Sequence, residues 1–402
     1  MENSHCGKKR GALITLAGIV ALLLCPLLIL SSCAPQVSDV KVQGSVTAQP
    51  TIPQPSPTAA ASKPVAIREI HMLDAMQGWA MTNDNQVLHT TTGGGQWQIV
   101  TPNTGWQEFS LGVSDVLDAH SAWVTVQSTN KYSVYYTHDD GRTWLGTPVL
   151  ASGTGITQIT FVDAQHGWLL FNKGETAANE EIAIFRTTDG GATWLNIANA
   201  DQQTATSEKS IPMSGKKTGI SFINTTQGWI TGTTATDNLA WLYTTGDGGV
   251  SWQTQSLSLP SGTQRATTLP PTFFDTKNAV LPVKIATSGS GGVNVYVTHD
   301  SGTTWNSTNS VQGVAETLTF TDIQHGWLAS SNTTTIETTA DGGQHWNRLA
   351  GTFPAGIRTI NTLNFVSTTT GWAIGSSTAS TTALFQTHDG GKTWTQVNTT
   401  AV

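Results

Sequence analysis

Six aspartates recur at one position of a repeated eight-residue segment, where their carboxylates could act as acids, nucleophiles or metal ligands. A catalytic pair of carboxylates must lie within about 5 to 10 Å, but equivalent turns of separate repeats are held farther apart. A calcium loop needs several oxygen ligands in one short segment, which Asp139-Asp140-Gly141 alone does not supply. We therefore interpret the recurring aspartates as structural. They are Asp139, Asp189, Asp247, Asp300, Asp341 and Asp389.

Histidines recur in the same way and raise the question of a metal centre. Three of them share the second position of the segment, His138, His299 and His388, and two precede a Gly-Trp pair, His166 and His325. Equivalent positions on separate repeats cannot converge on one ion, because a metal site needs several ligands around a single point. We expect these histidines to be solvated turn residues. We also expect no catalytic residue, no metal and no cofactor.

The eight-residue segment, which we call the box, has a threonine, an aspartate, a glycine and a tryptophan at fixed offsets. Six copies keep this pattern, and a seventh at 90–97 has Thr92 in place of the acid. Each box follows a second mark, an apolar run and a turn that usually ends in Gly-Trp; the exceptions are Ala122-Trp123 and Ala279-Val280. Thirteen of the fifteen tryptophans fall on these marks, and the box recurs about every fifty residues, the length of one propeller blade.

The third repeat shows how these marks build a blade. Residues 157–161, 168–171 and 182–187 alternate as three strands, and the box then turns the chain into a fourth. Gly190 and Gly191 supply the positive φ angles of the turn, while the box tryptophan buries its ring between sheets. The sequence therefore predicts an all-β fold: a seven-bladed β-propeller of four-stranded antiparallel blades, one box per blade, over residues 66–400.

Residues 1–32 have the pattern of a secretory signal, with basic residues at 8–10 before an apolar stretch at 11–30. The stretch ends in Leu-Ser-Ser-Cys and resembles the bacterial lipobox, in which the chain is cleaved before a cysteine that receives a lipid. The resemblance implies a lipid on Cys33 and a location outside the cytoplasm, on the outer face of a cell membrane. An uncleaved transmembrane helix is the alternative, since about 20 apolar residues can span a bilayer.

Residues 33–65 are rich in Pro, Ser, Thr and Ala and have few large apolar side chains, which is typical of an extended linker. The formal net charge of the chain is −7, and three of its cations lie in the signal segment, so the remainder is more acidic still. Nucleic acid is therefore not expected as a partner, because binding phosphates needs a basic surface.

The box matches the Asp-box, or bacterial neuraminidase repeat, of sialidases, sortilin-type receptors and xyloglucanases. With Gly-Trp marks and a box in nearly every repeat, the chain most resembles the photosystem II assembly and stability factor family of seven-bladed propellers. That resemblance implies a non-catalytic role in the assembly of a membrane complex. Sialidases use an Arg-Ile-Pro segment and three substrate-clamping arginines, but Ser210 precedes Ile211-Pro212 here and arginine is scarce.

Propellers usually bind through the loops that join one blade to the next and the second strand to the third. Three such segments are long, 172–181, 198–218 and 255–271, and we expect them to share one face. Trp106 and Trp241 lie outside the repeat pattern, in or near loops of this class. The binding candidates are Trp106, Trp241, Lys209, Lys216, Lys217 and Arg265.

Our leading hypothesis is a membrane-tethered, non-enzymatic propeller that binds a protein as a scaffold or assembly factor. A cell-wall glycan-binding propeller is the second hypothesis, because aromatic rings stack well on sugar faces. A glycoside hydrolase of the sialidase or xyloglucanase type is the third.

Overall fold

The computed structural model describes residues 63–402 except 203–209, 235, 237, 290, 314, 331–332, 351–352 and 379–380. Every regular element longer than a turn in these residues is a β-strand. No helix in the described part of the chain is long and apolar enough to cross a bilayer. Cys33, Lys209 and the signal segment lie outside the described residues.

The strands fall into seven consecutive groups, which form the seven blades predicted from the repeats. Blade 1 has β1 (Lys63–Pro64), β2 (Ile67–Met72), β3 (Gly78–Thr82), β4 (Val87–Thr90) and β5 (Gln96–Ile99). Blade 2 has β6 (Ser110–Val116), β7 (Ala122–Ser128), β8 (Lys131–Thr137) and β9 (Leu145–Val149). Blade 3 has β10 (Gly155–Phe161), β11 (Gly167–Glu175), β12 (Glu180–Thr187) and β13 (Leu195–Ala200).

The remaining blades follow the same order. Blade 4 has β14 (Lys216–Phe222), β15 (Gly228–Thr233), β16 (Leu242–Thr245) and β17 (Gln253–Thr254). Blade 5 has β18 (Arg265–Thr268), β19 (Thr272–Phe273), β20 (Ala279–Ala286), β21 (Gly291–Thr298), β22 (Asn306–Ser307) and β23 (Val311–Gln312). Blade 6 has β24 (Ala315–Phe320), β25 (Gly326–Ser330), β26 (Ile336–Thr339) and β27 (Asn347–Arg348). Blade 7 has β28 (Thr359–Phe365), β29 (Gly371–Thr378), β30 (Thr381–Thr387) and β31 (Thr395–Val397), and β32 (Thr400–Ala401) ends the series.

Neighbouring strands within each blade pair antiparallel, as expected for an up-and-down meander. Blades 4 and 5 are joined into one ten-stranded sheet by a single pairing of Thr233 with Thr267. The first strands of successive blades contact one another, as β6 does β10 and β24 does β28, so these strands surround the axis. The all-β seven-bladed prediction is therefore confirmed.

The ring closes between blade 7 and blade 1. Trp372 donates its indole N–H to the Gly93 carbonyl at 3.0 Å, and it belongs to one buried cluster with Ile70, Leu88 and Trp97. Strand β32 also crosses to blade 1, where it pairs parallel with β5 and antiparallel with β1. Strand β1 begins at Lys63, inside the segment that the sequence assigns to the linker.

The box turn is held by its own side chains, as blade 3 shows. Thr187 Oγ1 donates to Asp189 at 2.7 Å and accepts the N–H of Gly191 at 2.9 Å. The Asp189 carboxylate accepts the backbone N–H of Thr193 at 2.8 Å and its hydroxyl at 2.6 Å. Because these bonds satisfy turn donors that would otherwise lack partners, the box is a folding device.

The Gly-Trp mark is a latch between blades. Trp168 of blade 3 donates its indole N–H to the Gly248 carbonyl in the box of blade 4 at 2.9 Å. Its ring stacks on Phe222 of blade 4 with centroids 3.7 Å apart and planes 4° from parallel. The same bond, to the fourth box position of the next blade, is made by Trp123, Trp327 and Trp372. The two sequence marks therefore interlock around the ring.

Restoring the acid to the degenerate box of blade 1 is expected to stabilise the protein. Thr92 Oγ1 now accepts the Gln96 N–H at 3.0 Å and lies 3.3 Å from Thr90 Oγ1. A carboxylate at this position would accept from both groups with charge assistance, so Thr92→Asp should raise the free energy of unfolding by about 1 kcal/mol. Denaturant titration measures the change, and Thr92→Asn is the neutral control, for which we expect a smaller gain. A loss of stability in Thr92→Asp would contradict this account of the box.

Candidate functional site

The long connections of blades 3 to 5 surround a groove of ≈ 470 Å³. We call it the blade 3–5 groove. It lies among the β11–β12 hairpin, the segment that enters β14, the end of β15 and the start of β18. Its lining residues are Ala177, Ala178, Asn179, Ser214, Gly215, Lys216, Thr233, Thr234, Thr236 and Arg265. The predicted convergence of these segments is therefore present in the described residues.

Main-chain hydrogen bonds fix two walls of the groove to each other. The Glu180 N–H donates to the Met213 carbonyl, and the Gly215 N–H donates to the Ala178 carbonyl, both at 2.9 Å. Asn179 and Ser214 form an isolated antiparallel bridge between these bonds. The hairpin of blade 3 thus pairs with the segment leading into blade 4, and this pairing preforms the groove.

Lys217 joins the same two segments through its side chain. Its ammonium group donates to the carbonyls of Glu180, Met213 and Gly215 at 3.0, 2.9 and 3.2 Å, which uses all three N–H donors. Burial lowers the pKa of Lys217 to about 8, although the Glu180 carboxylate opposes that shift. The Lys217 Nζ also lies 5.1 Å from the ring centroid of Trp241.

Trp241 is enclosed, with 3 % of its surface exposed, and it packs in the core cluster shared by blades 3 and 4. Its indole N–H donates to the Ser214 carbonyl at 2.9 Å. The Glu180 side chain is buried as well and accepts from Asn172 Nδ2 at 2.6 Å and from the Lys217 N–H at 2.5 Å. These residues support the groove rather than line it.

The cations on the surface of the groove are Lys216 and Arg265. Lys216 Nζ lies 2.5 Å from a carboxylate oxygen of Glu175, in a pair that is 31 % and 56 % exposed, so this bond contributes little stability. Arg265 is exposed at the start of β18. The predicted set therefore divides into surface cations at Lys216 and Arg265 and support at Lys217 and Trp241.

Trp106 lies apart from the blade 3–5 groove, on the connection from blade 1 to blade 2. It is half-buried and packs against a cluster that includes Trp79 and Val124. A second groove has a volume of ≈ 490 Å³ and is lined by residues that range in sequence from Glu108 to Thr154. Most of its lining side chains carry hydroxyl or amide groups.

The box aspartates are held ionised by their own turns. Hydrogen bonds from the side chains of Thr143 and Thr304 lower the pKa values of Asp139 and Asp300 to about 2. In Asp189 burial opposes the shift, but the bonds from Thr193 and Thr187 still lower the pKa. A general acid needs a pKa near the working pH, so these carboxylates are unsuited to that role.

The repeated histidines bond to neighbouring turn residues. His138 Nδ1 lies 3.2 Å from Ser121 Oγ, His299 Nδ1 lies 2.7 Å from Asn278 Oδ1, and His166 bonds to an aspartate three residues earlier. Within the described residues no group of three or more His, Cys, Asp or Glu side chains could hold a metal ion.

Polar side chains on the first strands form a ring of bridges around the axis, which the sequence analysis missed. Asp115 of blade 2 accepts the Phe161 N–H of blade 3 at 2.7 Å, and Asn364 of blade 7 accepts the Met72 N–H of blade 1 at 2.8 Å. Gln158 of blade 3 both donates to and accepts from the main chain of Ile220. The three bridging side chains lie one to three positions before the last residue of β6, β10 and β28, and they are not part of the repeated marks.

Two of these axial groups have displaced pKa values. Burial raises the pKa of Asp115 to about 6, in opposition to the bond from the Phe161 N–H. Burial also acts to lower the pKa of His71, but its 2.8 Å bond to Glu69 overrides this effect and raises it. The axis therefore carries an acid and a histidine whose pKa values are both raised.

Residues 304–401 match the model of the family described as Photosynthesis system II assembly factor YCF48. The similarity to this family that the repeats indicate is thus confirmed, with the direct match confined to blades 6 and 7 and the end of blade 5. No curated protein has a sequence that matches this chain.

Solved structures share the propeller fold at low sequence identity. "YCF48 bound to D1 peptide" is 14 % identical with a TM-score of 0.54, over 82 % of this chain and 96 % of that one. YCF48 from Cyanidioschyzon merolae is 18 % identical with a TM-score of 0.55, over 82 % and 99 %. The GH74 xyloglucanase from Xanthomonas campestris is 13 % identical with a TM-score of 0.56, over 84 % of this chain and 55 % of that one. These likenesses establish the fold; this chain spans about half the length of the xyloglucanase.

Proposed function

We propose that this chain is a lipid-anchored, extracytoplasmic propeller that binds a protein partner in the blade 3–5 groove, as a non-catalytic assembly factor or scaffold. The observation that carries the proposal is the groove itself. Two cations, Lys216 and Arg265, line it, and the buried clamp of Lys217 and Glu180 fixes the segments that hold them. A preformed site loses less conformational entropy when a partner binds.

The charge of the groove favours an acidic or polar peptide segment. The whole chain carries a formal net charge of −7, so a groove lined by Lys216 and Arg265 is a local exception. Lys216 is paired with Glu175, so the attraction of negative charge falls mainly to Arg265. The shared fold with YCF48 bound to a D1 peptide supports a polypeptide as the ligand class. A partial match to an assembly-factor family model supports a partner that belongs to a membrane complex.

The membrane anchor is proposed from the signal segment and Cys33. An extended linker of this proline content reaches about 3 Å per residue, so residues 33–62 could hold the propeller several tens of ångströms from the lipid. This reach suits a factor that acts on the exposed segments of integral membrane proteins.

The absence of catalysis is proposed because the carboxylates discussed above make structural hydrogen bonds. The box carboxylates accept hydrogen bonds from their own turns, as Asp189 does from Thr193. Asp115, whose pKa is raised, accepts a main-chain bond between blades 2 and 3. A glycosidase needs two carboxyl groups that face one substrate bond.

Charge reversal in the groove is expected to abolish partner capture. The full chain would be purified from its own membranes after mild crosslinking, and the attached proteins identified by mass spectrometry. We expect one membrane complex to dominate, and Lys216→Glu with Arg265→Glu to reduce its yield at least tenfold.

The matched control reverses two exposed lysines on the opposite face, Lys277 and Lys392, and should leave capture unchanged. Equal loss in both double variants would mean that net charge, not the groove, drives capture. If the wild-type chain captures no protein, the proposal fails.

A glycan-binding role is supported by one observation, the polar second groove, whose lining begins at Glu108, two residues after Trp106 in the chain. Trp241 is enclosed, so Trp106 is the tryptophan to test. Retention of the full chain on glycan arrays that is lost in Trp106→Ala would favour this role over the first.

A further inference from the structure

One junction between blades lacks the tryptophan that fills the other six. The Gly-Trp tryptophans of blades 1, 2, 3, 4, 6 and 7 are nearly or fully buried against the following blade. Blade 5 has Val280 at this position, paired with Val297 in the register that pairs Trp123 with Tyr136 in blade 2. The junction between blades 5 and 6 is therefore short of one indole ring.

The surroundings of that missing ring can be read from the intact junction between blades 2 and 3. There Trp123 stacks on Phe161 at 3.7 Å, meets the His138 ring edge-on at 5.7 Å and donates to the Gly190 carbonyl at 2.8 Å. The repeat places Phe320, His299 and Gly342 at the three equivalent positions of the junction between blades 5 and 6.

A pocket of ≈ 320 Å³ lies at this position. Val297, Ile323 and Ala340 give it apolar walls, and the rest of its lining is polar or glycine: His299, Asn306, Thr308, Gln324, Asp341, Gly342 and Gln344. Phe320 and Val280 pack together in the small cluster next to it. An apolar cavity of about 150 Å³ is already large enough to bind a benzene ring, so this pocket has room for an indole.

The pocket also contains a carbonyl group that accepts an indole N–H at other junctions but has no tryptophan donor at this one. In four junctions the carbonyl at the fourth box position accepts an indole N–H from the preceding blade. The corresponding carbonyl here belongs to Gly342, and the Val280 side chain has no N–H to donate. An aromatic ring with an N–H would find apolar side chains and an acceptor in this pocket.

We propose that the pocket between blades 5 and 6 binds an indole ring, presented by a tryptophan side chain of a protein partner. The bound ring takes the place that Trp123 or Trp168 takes at its own junction, and its N–H donates to the Gly342 carbonyl. The pocket opens among box residues, on the face opposite the blade 3–5 groove, so this second site is separate from the first. A partner that engages both would hold the propeller from two faces.

The test uses free indole as the probe and the full chain as the receptor, with binding followed by saturation-transfer NMR. Wild type should bind indole with a millimolar or tighter Kd, and Val280→Trp, which fills the pocket from within, should weaken binding at least tenfold. 1-Methylindole, which lacks the N–H, should bind wild type at least fivefold more weakly than indole does.

Equal binding of indole by wild type and Val280→Trp would overturn the proposal, as would a failure of wild type to bind. If Val280→Trp does not fold, the methylindole comparison still decides the matter, because equal affinity for both probes would remove the assigned acceptor. The charge-reversed groove variant should bind indole normally, which separates this site from the first.

Crosslinked capture from native membranes identifies the source of the ring. Val280→Trp should lose a captured protein that wild type retains. Indole binding without any change in capture would show that the pocket takes a free aromatic molecule and would overturn the assignment to a partner tryptophan.

Discussion

Trp168→Ala should lower the free energy of unfolding by about 4 kcal/mol, the cost of removing a large aromatic side chain from a closed core. The ring is fully buried, stacks on Phe222 across the junction between blades 3 and 4, and donates to the Gly248 carbonyl. Its loss opens a cavity and leaves a buried acceptor unpaired. Urea unfolding followed by tryptophan fluorescence and circular dichroism measures the change.

Trp168→Phe separates the two contributions, because phenylalanine keeps a stacked ring and loses only the donor and part of the volume. We expect it to cost about half as much as Trp168→Ala. Trp106→Ala is the control for removing a tryptophan that is half-buried and unlatched, and it should cost less than either. A loss below about 1.5 kcal/mol in Trp168→Ala would show that the blades do not depend on the latch.

Asp115→Asn should stabilise the protein at pH 7.5 by about 2 kcal/mol and leave it unchanged near pH 4. Burial raises the folded-state pKa of Asp115 to about 6, above the unfolded value near 4. The folded state therefore binds the proton more tightly than the unfolded state does. The Asp115 carboxyl group does not lower the free energy of unfolding below about pH 4, and it lowers that free energy fully above about pH 6. Asparagine stays neutral throughout and can still accept the Phe161 N–H.

The reciprocal variant is Asn364→Asp, at the bridge from blade 7 to the Met72 N–H of blade 1. It should destabilise the protein at pH 7.5 and be neutral near pH 4. Unfolding titrations of both variants across this range decide the point. A pH-independent difference from wild type would show that burial of charge is not the cause.

The box aspartates act in the opposite direction. Their folded pKa values are lowered, to about 2 in Asp139 and Asp300. Their contribution is complete above the unfolded value near 4 and is lost as the pH falls toward 2. Asp115 and His71, whose raised pKa values favour the protonated folded state, act against this trend.

The blades were predictable because their signals are local. Six boxes carry a turn, a capping acid and a tryptophan within eight residues, and repetition strengthens the pattern. The latch was not predictable in the same way, since Trp168 bonds to Gly248, eighty residues away. Only the folded structure shows that the Gly-Trp mark of one blade bonds to the box of the next.

The candidate site was predicted in part for the same reason. Loop length placed Lys216 and Arg265 on one groove, which needs only the topology of the propeller. The burial of Trp241 depends on how Lys217 folds over it and on the bond to Ser214, and neither follows from spacing. Asp115 was missed because a lone polar residue on an inner strand has no repeat signature.

The pairing of β32 between β1 and β5 has a mechanical meaning. The short ladder between Lys63–Pro64 and Thr400–Ala401 has two residue pairs, and a pull applied at Lys63 would load it first among the described strands. Such a pull would break this ladder while the buried Trp372 latch still holds blade 7 to blade 1. A pull at Lys63 would therefore load a few main-chain bonds of this seam before it reached the rest of the ring.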